Sequence, residues 1–392
     1  MSDNRPGTLP LIDHHCHGVV TRDLDRAAFE SLLTEGTSAG ARGGTLFDSG
    51  VALELRRHCA PVLGLDPFAE PDAYLEQRAA LGWREASRRF LEAAGLVGLL
   101  VDTGFVPEPL TSPDELSQLA GAPTATVIRL ESIAEDLARE EVAAVDFADT
   151  FAARIASAVS TSVSPTSSTA PTPGSSVIAA KTVAAYRCGL ALPADEPTRL
   201  DLTQAAGEFL RQSAQSGRPR LADPIIIRFL IGRAIEAGLP LQVHTGFGDA
   251  DLNLHDADPL LLTPLLRVLA PSGVPVLLLH TYPFQRHAGY LAQVFENVFC
   301  DVGLAIPHTG RRAHQVLAEL LELAPYGKVL YSSDAFGLPE FFYLGAVLFR
   351  RALVGFLDVL DLPVAESDRI ARLIAQENAE RVYQTRERLH WV

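Results

Sequence analysis

Short apolar runs alternate with stretches of helical spacing along most of this 392-residue chain. Runs of Val, Ile, Leu and Ala bounded by turn-forming residues read as buried strands. Apolar positions recurring every third or fourth residue read as amphipathic helices. On that basis strands are predicted at Leu9 to Asp13, Leu96 to Val101, Thr124 to Leu130, Val177 to Lys181, Leu239 to His244, Val274 to His280, Val298 to Val302 and Lys328 to Ser332. Helices fall between most of them: from an N-cap at Ser132 to about Val159, over Asp201 to Gln215, and over Asp223 to Ala237 with Gly238 as the stop. Others cover Leu260 to Leu269, Ala288 to Phe295 and Arg312 to Leu323, and the remainder from Leu338 to Tyr383 is mostly helical. Strand–helix alternation over eight strands predicts the α/β class and a (β/α)8 TIM barrel with C-terminal helices, not a doubly wound sheet. No Gly-x-Gly-x-x-Gly opens a helix after a strand, so a dinucleotide fold has no motif behind it.

Two segments interrupt the alternation. Residues 24–94 are rich in Arg and Ala at helical spacing, as in Tyr74-Leu75-x-x-Arg78-Ala79 and Phe90-Leu91-x-x-Ala94, and read as an extra helical insertion after strand one that caps the mouth. Residues 157–176 are almost wholly Ser, Thr, Pro, Ala and Val, and read as a flexible surface insertion away from the chemistry.

Polar residues stand where the predicted strands end. The first strand runs into Asp13-His14-His15-Cys16-His17. Side chains alternate along a strand, so Asp13, His15 and His17 are expected on one face, and His14 and Cys16 on the other. Two imidazoles on one face suit a shared metal ion. Later apolar runs end in Lys181, His244, His280 and, after Ser332-Ser333, Asp334. In a parallel barrel all these strand ends converge on one mouth, where active sites lie. Candidates on both sides of residues 157–176 must therefore meet in one site, which argues for a single domain over 1–392.

With these residues in view, the chain resembles the amidohydrolase superfamily, in its amidohydrolase-2 branch and among the FluG- and nodulin-related amidohydrolase-like proteins. The resemblance runs from Leu11 to about Tyr383. It takes in the first-strand histidines, Lys181 with Ala185-Tyr186-Arg187, and His244-Thr245-Gly246-Phe247-Gly248-Asp249. It continues through His280-Thr281-Tyr282-Pro283, Asp301-Val302-Gly303, Ser332-Ser333-Asp334 and Glu377-Asn378-Ala379-Glu380-Arg381-Val382-Tyr383. What the resemblance implies is a metal-dependent hydrolase with one or two divalent ions. In the binuclear form a carboxylated Lys181 bridges two ions, His15, His17 and Asp334 holding one and His244 and His280 the other. In the mononuclear form His15, His17, His244 and Asp334 hold one ion, and Lys181 is a cation for substrate or transition-state charge. His280 either binds the second ion or hydrogen-bonds the water or the carbonyl.

Imidazole and carboxylate ligands suit Zn²⁺ first, with Fe²⁺ or Mn²⁺ as alternatives. Asp334 has the type and place to take a proton from water and pass it to a leaving group, so Asp334, His280 and Lys181 are the catalytic candidates. Arg187 and Arg286 could clamp a substrate carboxylate or serve as ordinary ion-pair arginines. His308, after strand seven, is a third substrate-binding candidate. The loop with Asp249, Asp251, His255, Asp256 and Asp258 is a solvated acidic loop or a substrate contact. His58, His287, His314 and His390 show no strand-end placement and read as surface or packing residues.

The expected reaction is hydrolysis of an amide or related carbonyl, and the FluG-like resemblance points to a γ-glutamyl-type amide. The alternative is a metal-dependent decarboxylase of the same branch, favoured by one ion and arginines aimed at a carboxylate. A non-catalytic barrel would be expected to have lost a ligand type, and none is lost.

Composition narrows the partners. A net charge of −15 disfavours nucleic acid and anionic membranes. No run of about eighteen apolar residues spans a membrane, and residues 1–7 lack the apolar core of a signal peptide. Cys16, Cys59, Cys188 and Cys300 lack close pairing and read as reduced thiols, Cys16 packing as a small apolar group. The expectation is a cytoplasmic enzyme acting on a small molecule. Barrels of this kind often pair into homo-oligomers.

Overall fold

A computed structural model describes residues 9–36, 44–161, 176–389 and 391. Its seven strands form one parallel sheet in chain order: β1 (Leu11–Cys16), β2 (Leu96–Asp102), β3 (Thr124–Arg129), β4 (Val177–Thr182), β5 (Leu241–His244), β6 (Val276–Leu279) and β7 (Val298–Cys300). The predicted eighth strand is an extended segment instead. It pairs with β7 only through the bridge between Cys300 and Val329. It still fills the last position, since Leu330 N donates to Cys300 O at 3.1 Å and His14 N donates to Tyr331 O at 3.1 Å. The curled sheet is thus closed into a barrel by a segment that lacks a regular ladder.

Apolar side chains fill two zones. Ile12, Leu100, Val127, Ile178, Leu277, Leu279 and Leu330 pack inside the barrel, where Ala379, Val382 and Tyr383 join them from the helix Asn378–Tyr383. A larger zone between strands and helices takes the other strand faces, including Leu11, Cys16, Val101, Val243 and Leu278. Several helices begin at a side-chain cap. The helix Pro224–Glu236 has Pro at its start, and Asp223 accepts from Ile225 N and Ile226 N.

The predicted helix from Ser132 to Val159 is two helices, Leu130–Arg139 and Phe147–Thr161. Glu141 turns left-handed at φ 57°, and Val142 N returns to Leu137 O at 3.2 Å, which terminates the first helix. Ser132 lies inside that helix and donates to Gly104 O at 2.9 Å. Residues 162–175, the bulk of the predicted surface insertion, lie outside the described residues, as does His390.

The stretch after β1 is helical: Arg26–Ser31, Gly50–His58, Pro71–Leu81 and Trp83–Ala94. Its residues 31–36 reach the mouth, while Pro71–Leu81 is tied to the long helix Pro339–Val359 by a buried ion pair, Arg78 Nε to Glu340 Oε1 at 2.7 Å. Among the described residues no helix is long and apolar enough to cross a membrane.

Arg78→Met leaves the fully buried Glu340 carboxylate without its cation. We expect about 3–5 kcal/mol lost from unfolding stability, read as a lower urea midpoint. An unchanged midpoint would show that the insertion is held by packing alone.

Candidate metal centre

The first strand does not alternate simply. Asp13 pairs with Leu99 and Cys16 with Val101, so β1 spends one residue more than β2 over this stretch. That extra residue is a bulge, and it re-aims side chains. Before it Ile12 and His14 face the barrel interior. After it His15 and His17 do. The expectation that Asp13 shares a face with His15 and His17 is therefore corrected. Asp13 turns outward and accepts from Ser333 N at 2.9 Å and from Ser333 Oγ, and His14 enters the barrel. Cys16 points away from the mouth into the outer core, its Sγ near Leu100 O.

His15, His17 and Asp334 meet at the mouth, with one donor atom from each within 4.8 Å of the others. His15 Nε2 lies 3.1 Å and His17 Nε2 3.5 Å from Asp334 Oδ1. His280 Nε2 lies 3.5 Å from Asp334 Oδ2 on the other side. His244 stands 4.7 Å from His280, ring centre to ring centre, and its Nε2 is buried with no partner among the described residues. Lys181 Nζ donates to His15 Nε2 at 2.9 Å. The structure thus gathers all six predicted metal-site residues. Alternation alone would turn His280 outward, since Leu277 and Leu279 face in. A left-handed backbone at His280 (φ 69°) and Thr281 (φ 51°) brings its ring to the mouth, and Asp334 (φ 51°) turns likewise.

The electrostatics suit a bound cation. Burial and the neighbouring Lys181 push His15 down to about 3. Burial and the facing His280 ring hold His244 well below its usual value, and burial lowers His280. These rings are neutral near pH 7, with lone pairs to offer. Burial pushes Asp334 up, and the His280, His15 and His17 rings pull it well below its usual value where they carry a proton toward it. Burial brings Lys181 down to about 8 against the pull of Asp102 and Asp334. Neutral imidazoles, an ionised carboxylate and unpartnered buried nitrogens fit a divalent transition metal.

Other candidates divide. His308 stacks on Phe341 and stands 3.9 Å from Glu35 Oε1 at the rim. Arg187 lines the mouth, but its Nη1 donates to Glu135 Oε1 at 2.7 Å. Arg286 is corrected: on the exposed flank of the helix Gln285–Val294 it pairs with Glu322 at 2.7 Å and Glu319 at 3.2 Å, away from the mouth. Of the acidic loop, Asp249 and Asp251 line the cleft of about 200 Å³, whereas Asp258 binds His287.

Several site residues escaped the sequence reading. Glu35 arrives from the insertion, its carboxyl pushed up to about 7 by burial and by Asp334 and Asp249. Arg129 ends β3, donates twice to Asp102 Oδ2 at 3.2 and 2.6 Å, and lines the cleft. Gln242 accepts from His15 Nδ1 at 2.8 Å. The last was findable, since Gln242 is two positions before His244 and shares its face.

A parallel barrel with imidazoles and a carboxylate gathered at its strand ends is the architecture of a metal-binding barrel enzyme class. The chain belongs to the amidohydrolase family, whose model, described as Amidohydrolase, matches residues 187–385. It is 27% identical to the protein fluG of Emericella nidulans over 97% of this chain and 46% of that protein. The chain thus spans about half the length of that curated relative. A crystal structure of a "putative metal-dependent hydrolase" from Lactobacillus casei ATCC 334 superposes with a TM-score of 0.79 and 28% identity, covering 98% of this chain and 97% of that one. A glucuronate isomerase from Caulobacter crescentus shares the fold at a TM-score of 0.61 and 14% identity, over 100% and 97% of the two chains.

The lowered imidazole values predict acid lability of the metal-free protein. The unfolded chain protonates these rings near 6.5, while folded His15 resists protonation down to about 3. Stability is therefore full above pH 6.5 and falls as pH drops through this window. Asp13 and Glu35, both raised to about 7, oppose the trend but are outnumbered by His15, His244, His280 and His308. Thermal midpoints between about pH 7.5 and pH 5 should fall, and His244→Gln should flatten the slope. Equal slopes would sink this assignment.

Proposed function

We propose that the chain is a metal-dependent hydrolase that uses water against an amide carbonyl. The observation that carries this reading is the convergence of His15, His17 and Asp334 beside the bare buried nitrogens of His244 and His280. A divalent ion bound there, most simply Zn²⁺, lowers the pKa of its water to roughly 7 and polarises a carbonyl oxygen.

The remaining roles fall to the protein. His15, His17 and Asp334 hold one ion, and His244 and His280 offer nitrogens for a second. Asp334, held ionised, accepts the proton of the attacking water and returns it to the leaving nitrogen. Lys181, brought down to about 8, is partly a free amine near neutral pH, the form that can add carbon dioxide at Nζ with release of a proton; the resulting carbamate would offer further oxygen donors to a metal. Without that modification its ammonium serves developing negative charge. Arg129 and the rings of Phe105, Tyr186 and Phe336 line the approach. A nitrogen-rich or γ-glutamyl-type amide is the substrate we propose, by analogy with the FluG-related family that the motifs resemble. The L. casei neighbour supports metal-dependent hydrolysis. A small-molecule substrate and a cytoplasmic location complete the proposal.

The decarboxylase reading needs arginines free to clamp a carboxylate. Arg187 is committed to Glu135 and Arg286 faces solvent, so neither favours it.

Elemental analysis of the purified chain should find one or two divalent ions. Hydrolysis of a γ-glutamyl amide panel in ¹⁸O-water should place the label in the carboxylate product. Asp334→Asn should lower kcat about 10²–10⁴-fold. Carbon dioxide release without label would turn the assignment to decarboxylation, and no metal after reconstitution would end it.

A further inference from the structure

Beneath the donor cluster lies a closed hydrogen-bond frame that the hydrolytic steps do not use. Gln242 Nε2 lies 2.7 Å from His14 O and 2.8 Å from the Tyr383 hydroxyl. A backbone carbonyl only accepts, so this end of Gln242 is the amino group and its oxygen faces His15. Gln242 Oε1, 2.8 Å from His15 Nδ1, must then accept, which puts the imidazole proton on Nδ1. His15 Nε2 is left as a lone pair 3.1 Å from Asp334 Oδ1.

The directions propagate. The Tyr383 hydroxyl accepts from Gln242, so its own proton goes to His14 Nδ1 at 2.9 Å. His14 Nε2 then donates to Asp301 Oδ2 at 2.9 Å. Asp301 Oδ1 accepts from His280 N at 2.9 Å and Gly303 N at 2.7 Å. Every member of this frame is buried, and the frame joins His15 to the backbone of His280 by way of Tyr383 in the helix Asn378–Tyr383. His15 Nε2 and Asp334 Oδ1 are both acceptors in close contact, an arrangement that needs a cation beside it. In the described chain Lys181 Nζ takes that place.

We propose that Gln242 and Tyr383 are positioning residues that lock His15 in its Nδ1–H tautomer, so that Nε2 is preset to bind the metal. The proposal rests on the reading of the site as a metal centre. Outer partners of ligating histidines set ring orientation and basicity, and their loss typically costs 10–100-fold in affinity.

The test uses the full chain and zinc alone. Zinc dissociation constants come from competition with a chromophoric chelator, and the His15 tautomer comes from ¹⁵N spectra of metal-free, histidine-labelled protein. The expected results are Nδ1–H in the wild type and about 10–100-fold weaker zinc binding in Gln242→Met. Tyr383→Phe, which removes one oxygen only, should weaken zinc in the same direction by less, and serves if Gln242→Met fails to fold. Arg78→Met, destabilised outside this hydrogen-bond frame, should bind zinc like the wild type. Wild-type His15 protonated at Nε2, or unchanged zinc affinity in folded Gln242→Met and Tyr383→Phe, overturns the proposal. A wild type that binds no zinc yet shows Nδ1–H would refute the metal reading instead, so the two failures are separable.

Discussion

One extra residue in β1 decides how this site is built. Because strand side chains alternate, a regular first strand would carry His14 and His15 on opposite faces. The bulge between Asp13 and Cys16 lets both enter the barrel. His14 then supports the frame below, and His15 and His17 present themselves to Asp334 above. The same bulge leaves Asp13 outside, where it fastens Ser333 and with it the segment that carries Asp334. That segment lacks a regular ladder, so these bonds and the closing contacts to His14 and Cys300 hold the carboxylate opposite the histidines.

Burying so many polar groups at a barrel mouth is costly unless each finds a partner. The frame of Gln242, Tyr383, His14 and Asp301 meets that demand on the inner side, and Arg129 with Asp102 meets it at the rim. At the mouth, the ring nitrogens left unmet among the described residues belong to His244 and His280. Left-handed backbone at His280 and Asp334 adds strain at the same point. Unsatisfied nitrogens and strain gathered in one place mark where binding energy is meant to be recovered from a ligand, and family membership agrees with that reading.

Most of the architecture was legible in the chain. Seven strands fall where apolar runs end in turn residues, because burial on both faces imposes that pattern on parallel strands. The eighth was recognised by position but not by its geometry. Hydrophobicity reports that a segment is inside, not that its backbone completes a ladder. Two helices were read as one across residues 140–146 because apolar spacing continues past a break that rests on the left-handed turn of Glu141.

That the six strand-end residues would meet at one mouth was also legible, since a polar residue at the end of an apolar strand has few structural reasons to be there. Their partners were not. Glu35 sits in an insertion whose path to the mouth no local pattern reveals, and Arg286 follows a strand end yet turns outward with its helix. By itself the sequence determined the barrel, its strand ends and the residue types gathered there, because periodicity and burial act locally along the chain. Tertiary structure alone decided which faces those residues take, how the bulge and left-handed turns re-aim them, and that Tyr383, 369 positions from His14, completes the frame beneath the candidate metal centre. Hydrogen bonds across such separations depend on closure of the whole barrel, which no window of sequence contains.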